Sequence, residues 1–231
     1  MSATPVVLIL GAGPRIGASV SARFASNGFK VALASRSGSG KKDENGYLSL
    51  KADFTNPDSI PPLFDAVKKE FQAPPNVVIY NTGSLTKPPD DNSVLSILHK
   101  DVTKDFIVNT VSPYVAAQQA IEGWKSLPKE SKKTFIYTGN ITNVAIVPMP
   151  LMLNVGMGKA ASAYWIGVAN ALYAEQGYRF HYADERHPDG RLKGLELDGE
   201  AHGDFYAHLA SQEENLPWHA TFVKSKGYVK F

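Results

Sequence analysis

Apolar residues in the first 35 positions form two continuous runs, with a glycine-rich turn and a periodic stretch between them. Residues 6–10 read Val-Val-Leu-Ile-Leu, a run that predicts a strand covered on both faces, as in parallel sheets. Apolar residues recur at helical spacing over 16–29, and Asn27-Gly28 is a helix stop signal. A second apolar strand is predicted over 30–35. This stretch therefore predicts a strand, a glycine turn, a helix and a second strand.

The same alternation continues through the rest of the chain. Further strands are predicted near 47–52, 76–80, 133–138, 179–182 and 221–231, with a bend at Gly227, and helices near 57–71, 103–126 and 153–176. Strands that alternate with helices require right-handed crossovers and a parallel sheet. The predicted fold is therefore α/β, a Rossmann-type doubly wound parallel sheet of about seven strands with helices on both faces. Its ligand site is expected beyond the carboxyl ends of the strands.

A chain of 231 residues suits one such domain, predicted over 1–231. Residues 184–217 are polar and weakly periodic, which predicts a loop and short helix over the pocket. We therefore expect 184–220 to be a variable segment on the substrate side.

Composition narrows the classes of partner. The 24 basic and 22 acidic residues nearly balance, so no broad field attracts nucleic acid or an anionic membrane. Without cysteine the chain has no disulfides and no thiolate nucleophile, and no histidine spacing suggests a metal site. No apolar stretch approaches the ~20 residues that span a bilayer, and the N-terminal residues lack a signal-peptide pattern. A cytoplasmic protein is expected.

The glycine turn is the first candidate site. It reads Gly-Ala-Gly-Pro-Arg-Ile-Gly over 11–17, where a dinucleotide fold needs close backbone approach to a pyrophosphate at a helix N-terminus. The residues predicted to contact the cofactor here are Gly11, Gly13, Arg15, Ile16 and Gly17. The alternative is a tight strand–helix connection that binds nothing.

The end of the second strand indicates which cofactor is bound. A carboxylate there would bind the ribose 2′-hydroxyl of NAD, whereas this chain has Ser35 and Arg36, with Lys41-Lys42 nearby. Serine and arginine suit a 2′-phosphate, and Arg15 is a second cation that could reach it. The sequence therefore predicts NADP, with a solvated loop cation as the alternative for Arg36.

Together these residues resemble the short-chain dehydrogenase/reductase family, over roughly residues 5–183. The glycine turn matches at Gly11 and Gly17, although Arg15 replaces the family's central glycine. Further matches imply an adenine contact at Asp53-Phe54, the turn after the fourth strand at Asn81-Thr82-Gly83, support of an active-site water by Asn109, and ribose binding by Lys159.

The chain departs from the family at its catalytic motif, Tyr-x-x-x-Lys, whose side chains share one helix face. Four residues before Lys159 stands Val155. The position of the family's serine holds Asn140 by strand position, or Thr142 by its spacing to Val155. The resemblance therefore implies a divergent member that lacks the catalytic tyrosine.

Three interpretations remain open for a chain without that proton donor. Another group could donate the proton, with Tyr182, Asp184 or His202 as candidates. Tyr137 is assigned to packing in the sheet, and Tyr164 to the core or an interface. The substrate could be an iminium or an activated alkene that needs little acid catalysis. The fold could also bind NADP without redox chemistry, as a non-redox enzyme or a sensor.

The prediction is an NADPH-dependent oxidoreductase acting on a small apolar carbonyl, imine or activated alkene, with an atypical proton donor. The apolar stretch 141–150 is expected to form part of the pocket wall. The resemblance also implies a homodimer or homotetramer through the helices near 103–126 and 153–176.

Overall fold

One sheet holds every strand of the computed structural model, which describes residues 4–231. The strands are β1 (Val6–Leu10), β2 (Lys30–Ser35), β3 (Leu48–Lys51), β4 (Val77–Tyr80), β5 (Lys133–Thr138), β6 (Tyr178–Glu185), β7 (His219–Val223) and β8 (Gly227–Tyr228). Their order is β3-β2-β1-β4-β5-β6-β7-β8. Neighbouring strands are parallel except β7 and β8. The Rossmann-type prediction is confirmed, with one strand more than expected.

Helices cover both faces of the sheet. They are α1 (Ile16–Ser26), α2 (Pro61–Phe71), α3 (His99–Phe106), α4 (Ser112–Trp124), α5 (Leu153–Tyr173) and α6 (Gly199–Ser211). One apolar core lies between the sheet and α2, α4 and α5, and a second lies between the sheet and α1 and α6. The all-buried β1 faces both cores, which is why its sequence is apolar without alternation.

The carboxyl ends of three strands are tied together by backbone hydrogen bonds. Gly11 N and Ala12 N donate to Ala34 O of β2 at 2.9 and 3.1 Å, and Asn81 N donates to Leu10 O of β1 at 2.7 Å. The turns after β1, β2 and β4 therefore meet at one edge of the sheet, the edge where a doubly wound fold binds ligands.

The helix predicted over 103–126 is divided by a π-helical turn over Ile107–Val111. Two carbonyls there accept side-chain hydroxyls from the sheet: Tyr80 Oη donates to Val108 O at 2.6 Å, and Tyr137 Oη donates to Asn109 O at 2.9 Å. These hydrogen bonds satisfy two carbonyls of the π-helical turn. Such turns are often found at functional sites.

The segment 184–217, predicted as a loop and short helix over the pocket, differs from that prediction. Its first residues complete β6, and α6 is a 13-residue helix whose apolar side packs on α1 and the sheet. A Cβ at Gly203 would lie 3.1 Å from Ser19 O of α1, so the two helices approach closely. The loop 186–198 reaches the glycine turn, where Arg15 Nη1 donates to Leu195 O at 2.8 Å.

The strand predicted over 221–231 is also divided. Ser225 and Gly227 have φ of 64° and 68°, and the chain reverses there, so β8 returns antiparallel to β7. Within residues 4–231, no helix is both long and apolar enough to cross a membrane. One domain over 1–231 stays a prediction, and its residues 1–3 lie outside the described part of the chain.

Candidate functional site

A cleft of about 500 Å³ opens at the carboxyl ends of β1, β2 and β4. Nine predicted cofactor residues line it: Gly11, Gly13, Ser35, Arg36, Asp53, Phe54, Asn81, Thr82 and Gly83. They come from four separate stretches of chain, and the sheet topology brings them together. The cleft is therefore where a dinucleotide would lie.

Two glycines of the turn are fixed by close backbone approach. Gly11 has φ of +100°, and a Cβ there would overlap Thr82 Oγ1 and lie 2.8 Å from the carbonyl carbon of Asn81. A Cβ at Gly17 would lie 2.7 Å from Ala12 Cα. A Cβ at Gly13, by contrast, would meet nothing within 4 Å, so this cleft-lining glycine leaves room that a ligand can fill.

The amides available to an anion lie slightly further along the chain than Gly13. Gly13 N donates to Gly11 O at 2.9 Å, and the next bond into α1 is from Ala18 N to Gly13 O at 3.0 Å. The amides of Arg15, Ile16 and Gly17 precede that bond, where a helix leaves N–H groups for a ligand. Ile16 and Gly17 would therefore bind an anion through their backbone amides, because the Ile16 side chain is buried in the core.

Arg15 is placed differently from its predicted role. Its guanidinium reaches Leu195 O and is not part of the cleft lining. Arg36, in contrast, is exposed at the cleft beside Ser35 and Ser37, whose hydroxyl oxygens lie 3.4 Å apart. The cation at the end of β2 is therefore Arg36, while Arg15 ties the loop 186–198 to the glycine turn.

Asp53 and Phe54 form the cleft wall after β3. Thr55 donates to Asp53 Oδ1 through its backbone N at 2.9 Å and its Oγ1 at 2.7 Å. These hydrogen bonds lower the pKa of Asp53, so the carboxylate is an acceptor at neutral pH. Lys104 of α3 also lines the cleft, and no motif singled it out. Its spacing of four from Val108, which also lines the cleft, could have indicated it.

Beyond this cleft, Asn109 anchors the loop that follows β4. Its Nδ2 donates to Ser84 O at 2.6 Å and its Oδ1 accepts from Ser84 N at 3.1 Å. Its own carbonyl accepts from Tyr137 Oη at 2.9 Å and from Ser162 Oγ at 2.7 Å. Two protein hydroxyls thus fill the acceptor sites of the backbone carbonyl of Asn109, the residue that the resemblance assigned to support of an active-site water.

Lys159 lies in α5, close to the end of β5. Its Nζ donates to Thr138 O at 2.6 Å and stands 5.1 Å from the centre of the Tyr137 ring. Burial lowers its pKa to about 8, and the Asp184 charge opposes this shift. A Cβ at Gly158 would lie 2.5 Å from Asn109 Cβ, and this close helix contact fixes Lys159 beside the sheet.

Asn140 and Thr142 form a turn that packs on the start of α5. Thr142 donates to Asn140 Oδ1 through its N at 3.1 Å and its Oγ1 at 2.5 Å. A Cβ at Gly156 would lie 3.5 Å from Thr142 Cβ, which places Thr142 beside Gly156 in the first turns of α5. Asn140 caps the turn in the manner typical of asparagine.

Two of the side chains that could donate a proton in place of the family's tyrosine are hydrogen-bonded to the backbone. Tyr182 Oη donates to Asn140 O at 2.8 Å and accepts from Asn140 N at 3.0 Å, and burial raises the pKa of Tyr182 well above its usual value. His202 lies on the opposite face of the sheet, where its Nδ1 bonds to Asp198 O at 2.6 Å. Tyr137 is buried, as expected, whereas Tyr164 is 78% exposed.

Asp184 is fully buried near the end of β6. Its Oδ2 accepts from Arg186 Nε at 2.5 Å, while its Oδ1 has no partner within residues 4–231. A second buried carboxylate that the sequence did not reveal, Asp105, accepts from Ser84 Oγ at 2.5 Å and from Asn154 Nδ2 at 2.9 Å. Asp105 therefore braces α5 one residue before Val155.

Comparisons with known proteins agree with this architecture. Residues 5–150 match the family model described as short chain dehydrogenase. A curated relative, the short chain dehydrogenase/reductase dmxR12 of Cryptosporiopsis sp. (strain 8999), is 38% identical over 238 residues, which cover 99% of this chain and 95% of that protein.

Solved structures share the fold at low sequence identity. A metagenomic short-chain oxidoreductase in complex with NADP has a TM-score of 0.76 at 15% identity, covering 96% of this chain and 97% of that one. A 3-ketoacyl-(acyl-carrier-protein) reductase from Brucella melitensis complexed with NADH has a TM-score of 0.78 at 17% identity, with the same coverage. On the family match and the curated relative, this chain belongs to the short-chain dehydrogenase/reductase family.

Proposed function

We propose that the protein is an NADP(H)-dependent oxidoreductase. The observation that carries this proposal is the end of β2, where Ser35, Arg36 and Ser37 line the cleft. A guanidinium flanked by hydroxyls suits a phosphate, whereas NAD specificity calls for a carboxylate there. The fold leaves the choice open, because one structural relative holds NADP and another NADH. Bound NADPH would supply the hydride.

The preference for NADPH over NADH should depend on Arg36. We expect Arg36→Asp to weaken NADPH binding by about 10- to 100-fold, because an exposed charge-assisted phosphate contact is replaced by repulsion. NADH affinity should stay level or rise. Titration of each cofactor by quenching of protein fluorescence measures both constants. Lys129→Asp, which alters an exposed cation before β5, should change neither, and tighter NADH than NADPH binding by the wild type would contradict the proposal.

We further propose that the reaction proceeds without a tyrosine at the family's position. Val155 is buried in α5 one turn before Lys159, and its side chain has no proton to donate. The loop between β5 and α5 exposes the apolar side chains of Val144, Ile146 and Met149, which suits a small apolar carbonyl, imine or activated alkene.

NADPH consumption at 340 nm against a panel of apolar ketones, iminium salts and enals tests this reaction class. Turnover of at least one member is expected. NADPH binding without turnover of any of them would instead favour a non-redox or sensing role.

We also propose that the protein self-associates through α4 and α5. Helices α4 and α5 expose apolar side chains along one side of the molecule, at Tyr114, Tyr164, Val168 and Leu172. An apolar patch of this kind typically marks a protein interface. We expect a homodimer or homotetramer by light scattering, and a monomer at micromolar concentration would overturn this inference.

A further inference from the structure

Reduction of a carbonyl in the reaction proposed above needs a proton for the substrate oxygen, and the hydroxyls around β5 and α5 are committed to the fold. The Tyr137, Ser162 and Tyr182 hydroxyls each donate to a backbone carbonyl. The Thr142 hydroxyl donates to Asn140 Oδ1. Donation from any of them to a substrate would break a bond that holds the π-helical turn or the end of β5.

We propose that Lys159 itself is the proton donor. This inference rests on the proposed function. Lysine in this family position is otherwise expected only to bind the cofactor's ribose, so direct donation by its ammonium is a separate role.

The geometry leaves Lys159 able to donate. An ammonium has three N–H groups, and the bond to Thr138 O uses one of them. Val155, one helical turn earlier, carries no hydroxyl or charge that could bind the other two N–H groups. The Tyr137 ring below Nζ and the contact between Gly158 and Asn109 hold the lysine in place.

The environment also suits a general acid. Lys159 is 9% exposed, and burial brings its pKa to about 8, close to the neutral range in which acid catalysis is efficient. Asp184 on β6 is the charged group that opposes this burial, and one of its oxygens has no partner within residues 4–231. Tyr137 and Tyr182, the titratable groups on the strands beneath, stay neutral because burial raises their pKa.

The step balances with NADPH as the reductant. The carbonyl carbon gains a hydride with its electron pair, and the π pair of the C=O bond moves to oxygen. That oxygen takes a proton from the Lys159 ammonium and becomes a hydroxyl. The lysine is left as a neutral amine, which recovers its proton from water.

Lys159→Arg separates donation from cofactor binding. Arginine keeps the positive charge and can bond a ribose, but it is a poor acid because its guanidinium does not give up its proton near neutral pH. We expect NADPH affinity within about threefold of the wild type and a fall in single-turnover NADPH oxidation of about 10²–10⁴-fold, the usual contribution of general acid catalysis. If the Lys159→Arg rate is within tenfold of the wild-type rate, Lys159 is not the proton donor, but the proposed function still stands. No wild-type turnover with any panel substrate overturns the inference and the proposed function together.

A spectroscopic titration gives an independent readout on the cofactor-free protein. In protein labelled with ¹³C-lysine, the Lys159 Cε signal is identified by its loss in Lys159→Arg. Its midpoint is expected near pH 8, with the wild-type rate falling as pH rises through the same value. Asp184→Asn should move the lysine midpoint to lower pH, whereas Asp189→Asn, at an exposed carboxylate, should not. A rate that does not fall across the measured lysine midpoint contradicts proton donation by Lys159, whether or not Asp184→Asn folds.

Discussion

Replacing Gly11 with alanine is expected to cost roughly 2–5 kcal/mol of folding free energy and at least 100-fold in NADPH affinity. The residue has φ of +100°, where a side chain is strained, and the added methyl group would overlap Thr82 Oγ1 and press on the Asn81 backbone. Strain of this kind costs about 1–3 kcal/mol, and overpacking costs a similar amount. The turn after β4 must move, and Asn81, Thr82 and Gly83 line the cofactor cleft.

Two other glycines separate the effect of backbone strain from the effect of a methyl group in the cleft. Gly28 has φ of +83° with open space around it, so Gly28→Ala should show the conformational cost alone, about 1 kcal/mol, and leave NADPH binding unchanged. Gly13→Ala meets no neighbour, so stability should stay within about 0.5 kcal/mol, while the methyl group narrows the cleft and weakens NADPH binding about tenfold. Urea unfolding and fluorescence titration measure these effects. Gly11→Ala with wild-type stability and affinity would refute the assigned role of this turn.

Acidification from pH 6.5 to pH 4 is expected to destabilise the protein strongly through two buried histidines. Burial lowers the pKa of both His181 and His202 to about 4. Each Nδ1 faces a backbone carbonyl, at Pro217 and Asp198, so the neutral ring carries its proton on that nitrogen. Between these pH values the unfolded chain binds protons that the native state excludes. Stability is therefore present above pH 6.5 and is lost as pH falls towards 4, by up to about 3 kcal/mol per histidine.

Glu185, whose Oε2 lies 3.5 Å from His202 Nδ1, opposes part of this loss. Burial raises its pKa, so as the pH falls the native carboxyl takes up a proton before the unfolded chain does, which favours the native state. His181→Asn combined with His202→Asn keeps a donor for each carbonyl and should flatten the dependence of urea midpoint on pH. Exposed His99 provides the matched control, His99→Asn. An unchanged slope in the double variant would show that other groups govern acid unfolding.

Much of the fold could be predicted from local pattern. The bounds of β1, β2 and β5 were predicted to the residue. β1 is a continuous apolar run that ends at glycine, as expected of a strand covered on both faces, whereas β2 and β5 have an apolar centre between polar end residues. The doubly wound sheet then follows from alternation, and the placement of Asp53, Asn81 and Arg36 at one edge follows from parallel strands. These features depend on residues that are close in sequence.

Contacts between distant residues decided the rest. Arg15 was assigned to the cofactor, but it bonds to Leu195, 180 residues away. The α6 segment was predicted as part of a loop and short helix over the pocket, yet its helix packs on α1 through glycines that allow close approach. The tyrosine at 182 was a potential acid until the fold paired its hydroxyl with the Asn140 backbone. A sequence specifies which groups a chain carries, but the direction of a side chain and its hydrogen-bond partner depend on which strands and helices the packed core brings together.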